Sequence, residues 1–179
     1  MVVGYVLSAV AAVLSAVVLG LVARHRLGFV TVVESESMAP TLTPGRLLPV
    51  RRPRASRPVR RGDIVVVRSA ELGRVIVKRV IGLPGEHVDV AADEVRVNGE
   101  RLSEPYVVRR GGRSGGFDVP DGHLLLLGDN RARSSDSRSW RQPCLPVGAL
   151  RGIVLLKPRP PLATPPDRGP RSGGRARGG

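Results

Sequence analysis

The chain has 179 residues, 41% of them apolar but only 3% aromatic, and it carries a net charge of +14. That length suits one domain with appendages, and the core must be built mainly from Val, Leu and Ile. Nucleic-acid binders usually add aromatic stacking or a recognisable module to a basic surface, and neither is visible. The charge points instead to anionic lipid headgroups and to a high-GC coding bias toward Arg, Ala, Gly and Pro, and no nucleic-acid partner is expected. Cys144 is the single cysteine, so an intrachain disulfide is excluded and neither a Cys–His pair nor a metal-ligand cluster can be assembled.

Val2 to Ala23 is a run of 22 uncharged residues rich in Val, Ala and Leu. As a helix it would be about 33 Å long, enough for a bilayer core of roughly 30 Å. A cleavable secretion signal would want a basic start, a shorter apolar core and a small-x-small site. This segment starts without Lys or Arg and ends in Leu21-Val22-Ala23-Arg24, which favours a retained transmembrane anchor over residues 1–23. Arg24, His25 and Arg26 at its C-terminal end vote, by the positive-inside rule, for that end in the cytoplasm.

Residues 24–157 read as a mainly β domain. Leu27 to Val33 is a β-branched strand. Leu47 to Val50 is a short strand whose Pro49 suggests a sheet edge. Arg46 to Arg61 contains seven arginines and no acid, and its stretch from Arg51 onward reads as an exposed basic loop. Ile64 to Arg68 reads as a strand buried on both faces, Ala70 to Arg74 as a hairpin connection, and Val75 to Gly82 as a second apolar strand. His87 to Val90 and Glu94 to Val97 follow, with Asn98-Gly99 as a type I′ hairpin signal. Leu102 to Val108 continues as strand, then Phe117 to Val119, His123 to Leu127 and Ala149 to Lys157. Short strands with turns every eight to twelve residues mean a mostly β domain with little helix after the anchor. Residues 158–179, rich in Pro, Gly and Arg, read as a disordered basic tail.

Ser35 and Ser37 stand two positions apart in Glu34-Ser35-Glu36-Ser37-Met38-Ala39-Pro40-Thr41-Leu42. A serine hydroxyl becomes a nucleophile only when a base takes its proton and donors hold the oxyanion. The same stretch could equally be a polar turn fixed by Pro40. Of the possible bases, His25 sits at the membrane end, and His87 and His123 have no carboxylate at a known spacing. Lys78 lies inside the apolar run Val75 to Ile81. Burial disfavours its ammonium form, so its pKa falls toward neutrality and the amine can accept a proton. The alternative is a lysine on the solvent side of an alternating strand. Gly128 to Arg138 is a dense polar loop in which Asp129 and Asp136 could pair with arginines and Ser134 could aim Lys78.

Taken in order, the motifs are an apolar anchor, Ser-x-Ser-Met-x-Pro-Thr-Leu, Arg-Gly-Asp-Ile-Val-Val, Val-Lys-Arg-Val-Ile-Gly-Leu-Pro-Gly-Glu and Gly-Asp-Asn-Arg-x-x-Ser-x-Asp-Ser-Arg. Together, over Val2 to Pro158, they resemble the bacterial type I signal peptidases (leader peptidases), Ser-Lys dyad serine endopeptidases. The resemblance implies a signal-peptidase-like fold, a β domain of several short antiparallel sheets behind one transmembrane helix. It implies Ser37 as nucleophile and Lys78 as general base. It places the oxyanion hole at the Ser35 hydroxyl and the Ser37 N–H, and gives Ser134 the role of orienting the lysine. Asp129, Arg79, Asp136 and Arg138 match a supporting ion-pair set. Val33, Met38, Leu42, Ile76 and Val77 match the walls of shallow pockets for small side chains.

The implied activity is removal of N-terminal signal peptides from exported preproteins with small residues before the cut. It would take place at the cell membrane on the extracytoplasmic face, against the vote of Arg24 and Arg26, and without cofactor or metal. Glu36 departs from the family, which more often has Gly there. Alternatives are a dedicated maturation peptidase of the same family for one exported peptide, a self-cleaving Ser-Lys repressor-type protein, and a non-enzymatic anchored module binding lipid or an acidic partner.

Overall fold

The computed structural model describes residues 2–54 and 56–155; within the N-terminal helix the side chains of residues 3, 7 and 21–27 lie outside the description, as does the expected tail at 158–179. Helix α1 runs Val2–Leu27, 26 residues. Every described side chain from Ser8 to Gly20 is exposed. Among the described residues, no helix is long and apolar enough to cross a membrane.

Eleven strands follow among the described residues: β1 Phe29–Val32, β2 Leu47–Arg51, β3 Ile64–Ser69, β4 Arg74–Gly82, β5 His87–Val90, β6 Val95–Val97, β7 Glu100–Arg101, β8 Gly115–Asp118, β9 His123–Leu127, β10 Cys144–Pro146 and β11 Leu150–Val154. They form a seven-stranded sheet ordered β1-β2-β11-β3-β4-β9-β10 and a four-stranded sheet ordered β7-β6-β5-β8. The pairings within them are antiparallel. The expected mainly β domain is what forms.

The reason lies in the period of two. In β3, Val65 and Val67 pack with Ile76, Val80, Leu124, Leu126 and Trp140 on one face of the large sheet. The alternate residues Ile64 and Val66 pack on the other with Val33, Met38, Leu42, Leu48 and Val50. A strand covered on both faces reads as a near-continuous apolar run, as β3 does, and as β4 does on either side of Lys78 and Arg79. β9 shares its residues the same way, because Leu125 and Leu127 join Ile81, Val88, Val90, Val95 and Val97 in a third cluster beneath the small sheet. The hairpin signal is realised: Asn98 and Gly99 adopt φ of 51° and 83° between β6 and β7, the left-handed pair that a type I′ turn requires.

Three expectations change. β2 is not an edge strand, for it lies between β1 and β11. Its Pro49 is tolerated because the β2–β11 ladder pairs only Arg51 and Val50. Pro49 sits just past that end, where it needs only its carbonyl, which accepts from Leu155 N–H at 2.9 Å. Leu102 to Val108 does not continue as a strand: the ladder ends at Arg101, and Pro105 has no N–H to offer one. β10, unexpected from sequence, spans three residues flanked by proline at 143 and ending in proline at 146.

Three stretches of the large sheet have an open edge. β1 and β10 are its terminal strands. β4 pairs with β3 from Arg74 to Arg79, but with β9 only from Arg79 to Gly82. Residues 74–78 of β4 therefore have no strand neighbour on one side among the described residues.

Candidate active site

Ser37 sits in a single 3-10 turn, Glu36–Met38, following extended Ser35 (φ −134°, ψ 162°). Ser35 occupies the position where a serine usually caps the turn, yet its side chain makes no capping bond. Its hydroxyl is instead directed to the Ser37 hydroxyl at 3.2 Å. The turn is held from the far end of the chain. Asn130 donates its backbone N–H to the Ser37 carbonyl at 3.0 Å and its side-chain amide to the Glu36 carbonyl at 3.2 Å. The approach is close enough to require glycine at 128, since a Cβ there would lie 2.1 Å from Ser134 Oγ and 2.5 Å from the Ser37 carbonyl oxygen.

Lys78 projects from β4 to this turn, with Nζ 2.7 Å from Ser37 Oγ. It is 4% exposed, so the solvent-side alternative does not hold. Its pKa falls from the ordinary 10.5 to about 8, chiefly because burial strips the ammonium of water; Asp136 opposes the shift, Arg74 adds to it, and Asp129 and Arg138 act more weakly in opposite senses. An amine poised there is about 10% deprotonated one pH unit below its midpoint, a useful fraction for a base.

Around the pair lies a shell of ionised groups that are fully partnered. Asp129 accepts from Arg79 Nε at 2.8 Å and from its terminal nitrogen at 2.6 Å. Thr41 donates its hydroxyl to the same carboxylate. Arg79 also donates to the Gly62 carbonyl at 2.8 Å and stacks 3.8 Å from the centre of the Tyr106 ring. Asp136 accepts from Arg138 at 2.8 and 2.9 Å and from Gly128 N–H at 3.0 Å. A third buried pair, Arg131 with Glu104, stands behind the loop. Carboxylates with two or three donors each tie the loop to β4 and to itself.

The expected ion-pair set Asp129, Arg79, Asp136 and Arg138 is thus brought together as two separate pairs. Two other expectations are corrected. Ser134 makes no bond to Lys78: its hydroxyl is buried with no hydrogen-bond partner, pressed against the backbone at Gly128. Leu42 lines no cleft, being 1% exposed within the apolar core beside Leu48 and Val50. The remaining wall residues Val33, Met38, Ile76 and Val77 do line a cleft that ends at Ser37 and Lys78, together with Thr31 and Val32 of β1 and Arg74 of β4. His87 is tied to Asp118 and Asp89 on the small sheet, and His123 to the Asp121 carbonyl, so neither reaches Ser37.

Sequence reasoning missed Thr41, Asn130, Tyr106 and the Glu104–Arg131 pair. Thr41 carried a signal as a member of the serine motif, and Asn130 and Arg131 as members of the polar loop. Glu36 finds a partner in Arg133 at 3.1 Å on the exposed rim of the cleft. Among the described residues, no group of three or more His, Cys, Asp or Glu could hold a metal ion.

Comparison with known proteins fits this geometry. The family "Signal peptidase, peptidase S26" matches residues 6–156. Signal peptidase I of Bacillus licheniformis is 40% identical over 142 residues, covering 73% of this chain and 76% of that protein. Signal peptidase I of Leptolyngbya laminosa is 40% identical over 134 residues, covering 69% and 66%. A solved signal peptidase I from Enterococcus faecalis V583 is 30% identical, with a TM-score of 0.49 over 54% of this chain and 97% of that one. On the family match and the two sequence identities, the chain belongs to the signal peptidases of peptidase family S26 and is a serine peptidase.

Proposed function

We propose that this protein is a membrane-anchored endopeptidase that removes signal peptides from exported preproteins by a Ser37–Lys78 dyad. The observation that carries the reading is the 2.7 Å contact between Lys78 Nζ and Ser37 Oγ at a site where burial favours the neutral amine. Neutral Lys78 takes the Ser37 proton as Oγ bonds to the scissile carbonyl carbon. The oxyanion is held by the Ser37 N–H and by the Ser35 hydroxyl, which rotates away from Ser37 Oγ to meet it. Lys78 then protonates the leaving amine. With its proton gone it activates the water that frees Ser37 from the acyl group. Removing one oxyanion donor costs on the order of 10²–10³ in kcat.

The cleft supports an extended substrate. It runs between the open edge of β1 and the open edge of residues 74–78 in β4, so a peptide strand laid in it would find main-chain partners on both walls. Val33, Met38, Ile76 and Val77 leave room only for small side chains before the cut. Anchoring is supported by the uncharged run Val2 to Ala23 and by exposed Val30, Val32 and Leu47 just after α1. Val32 pairs with Leu47 and Val30 with Pro49, so these side chains share one face of the β1–β2 hairpin. That apolar face, with Arg46 and Arg52 beside it, suits the surface of a bilayer with anionic headgroups. The catalytic domain would stand on the extracytoplasmic face, where a preprotein's cleavage site emerges.

The test is cleavage of a preprotein panel by the full chain in detergent, wild type beside Ser37→Ala. The variant should fold with an unchanged melting temperature and process nothing; processing at the wild-type rate would remove Ser37 as nucleophile.

A further inference from the structure

The cleft does not stop at the pockets for small side chains. It continues along the open edge of β4, past Val75, to Arg74. Arg74 is exposed and, among the described residues, its side chain has no hydrogen-bond or ion-pair partner. The other arginine on the cleft, Arg133, is occupied by Glu36. Glu34 lines the cleft at the serine end, immediately before Ser35. The groove is thus charged unevenly along its length, with an unpaired cation at the end remote from Ser37.

Register sets what that cation meets. Arg74, Ile76 and Lys78 alternate along β4 and share one side of the strand. Four residues of strand separate Arg74 from Lys78, about 13 Å at roughly 3.3 Å per residue. A substrate strand paired to this edge advances at the same pitch. With the scissile bond at Ser37 and Lys78 and the preceding small residues at Ile76 and Val77, Arg74 lies beside the fourth or fifth residue before the bond.

We propose that Arg74 forms a distal subsite that selects an acidic side chain four or five residues before the scissile bond and rejects a basic one. The assignment rests on the peptidase reading above. It adds a charge criterion to a site whose other walls distinguish only size. A second consequence follows from the same guanidinium. It is one of the charges that disfavour the ammonium form of Lys78, so a bound acid that neutralises Arg74 also feeds back on the base.

The experiment uses the full-length enzyme in detergent and peptides with alanine at the first and third positions before the bond. Asp, Ala or Lys is placed at the fourth and then the fifth position. Wild type should prefer Asp to Lys in kcat/KM by about fivefold, as expected for a partly exposed ion pair. Raising salt to about 1 M should shrink the preference. Arg74→Glu should invert the order and move the midpoint of the pH–rate profile upward, while Arg74→Lys should retain the order. Equal cleavage of the Asp, Ala and Lys peptides by wild type sinks the subsite and leaves the peptidase reading standing. So does an Arg74→Glu enzyme that is slowed equally on all of them. No cleavage of any peptide by wild type overturns both.

Discussion

Lys78 and Arg79 are neighbours on one strand, both buried, and the fold treats them in opposite ways. Arg79 receives a two-pronged carboxylate, a carbonyl and an aromatic ring face. Lys78 receives a hydroxyl at 2.7 Å and forms no ion pair among the described residues, because Asp129 and Asp136 are already held by arginines. One side of β4 thus gives a buried cation its carboxylate, and the other side makes the charged state costly. A buried cation is a structural fixture when its partners come with it, and is suited to the proposed role of base when they are withheld.

Swapping the two treatments is the most severe test. Lys78→Arg puts on the catalytic side a group that stays protonated at any accessible pH. Processing should fall by at least about 10³-fold, measured as single-turnover cleavage of a preprotein, since general-base catalysis is worth about 10²–10⁴; substantial activity would mean that Lys78 is not the base. On the structural side, Asp129→Ala strands Arg79 without its carboxylate. Breaking a buried pair this way costs about 3–5 kcal/mol, read as a lowered urea midpoint, with activity lost only as the fold is lost.

Lys78→Met isolates what the base itself costs the fold. A lysine whose pKa drops from 10.5 to about 8 on folding binds its proton less tightly in the native state. It therefore destabilises the wild type below pH 8, and the penalty fades as pH rises through 8 toward 10.5. At pH 7 the variant should be more stable by about 3 kcal/mol, converging with wild type near pH 10.5. The wild-type rate should climb as pH approaches 8, where native Lys78 loses its proton, and level off above about 8. The mildest change is at the rim. Glu36→Ala removes only the exposed contact with Arg133, so stability should move by less than about 1 kcal/mol; a larger shift in the melting temperature would give the pair a role that its exposure does not suggest.

The strands could be read from the sequence because two-sided burial writes itself as runs of Val, Ile and Leu between turn residues. Such a reading assigns a residue to an element without saying which neighbours the element acquires. Pro49 looked like an edge marker because the length of the β11 ladder was invisible. Ile76 and Leu42 are both apolar and both near the site, yet one lines the cleft and the other lies under it. That distinction depends on which distant strands pack over each of them. Ser37 and Lys78 were legible because a polar group in an apolar setting is conspicuous in one dimension. Ser134 was not placed correctly, since its hydroxyl is directed by the contact of Gly128 with the nucleophile turn, which is a property of two distant segments.

That contact also sets when the enzyme can exist. Asn130 reaches back 94 positions to the Glu36 carbonyl, and the carboxylate that fixes Arg79 follows it in the chain by 50. A chain synthesised from its N-terminus presents Ser37 early, but cannot hold its turn until the segment through Arg138 has arrived. Closure of so long a loop is a late event. On the dyad proposed above, activity waits in time on the segment 128–138, which holds the turn and the strand that carry it.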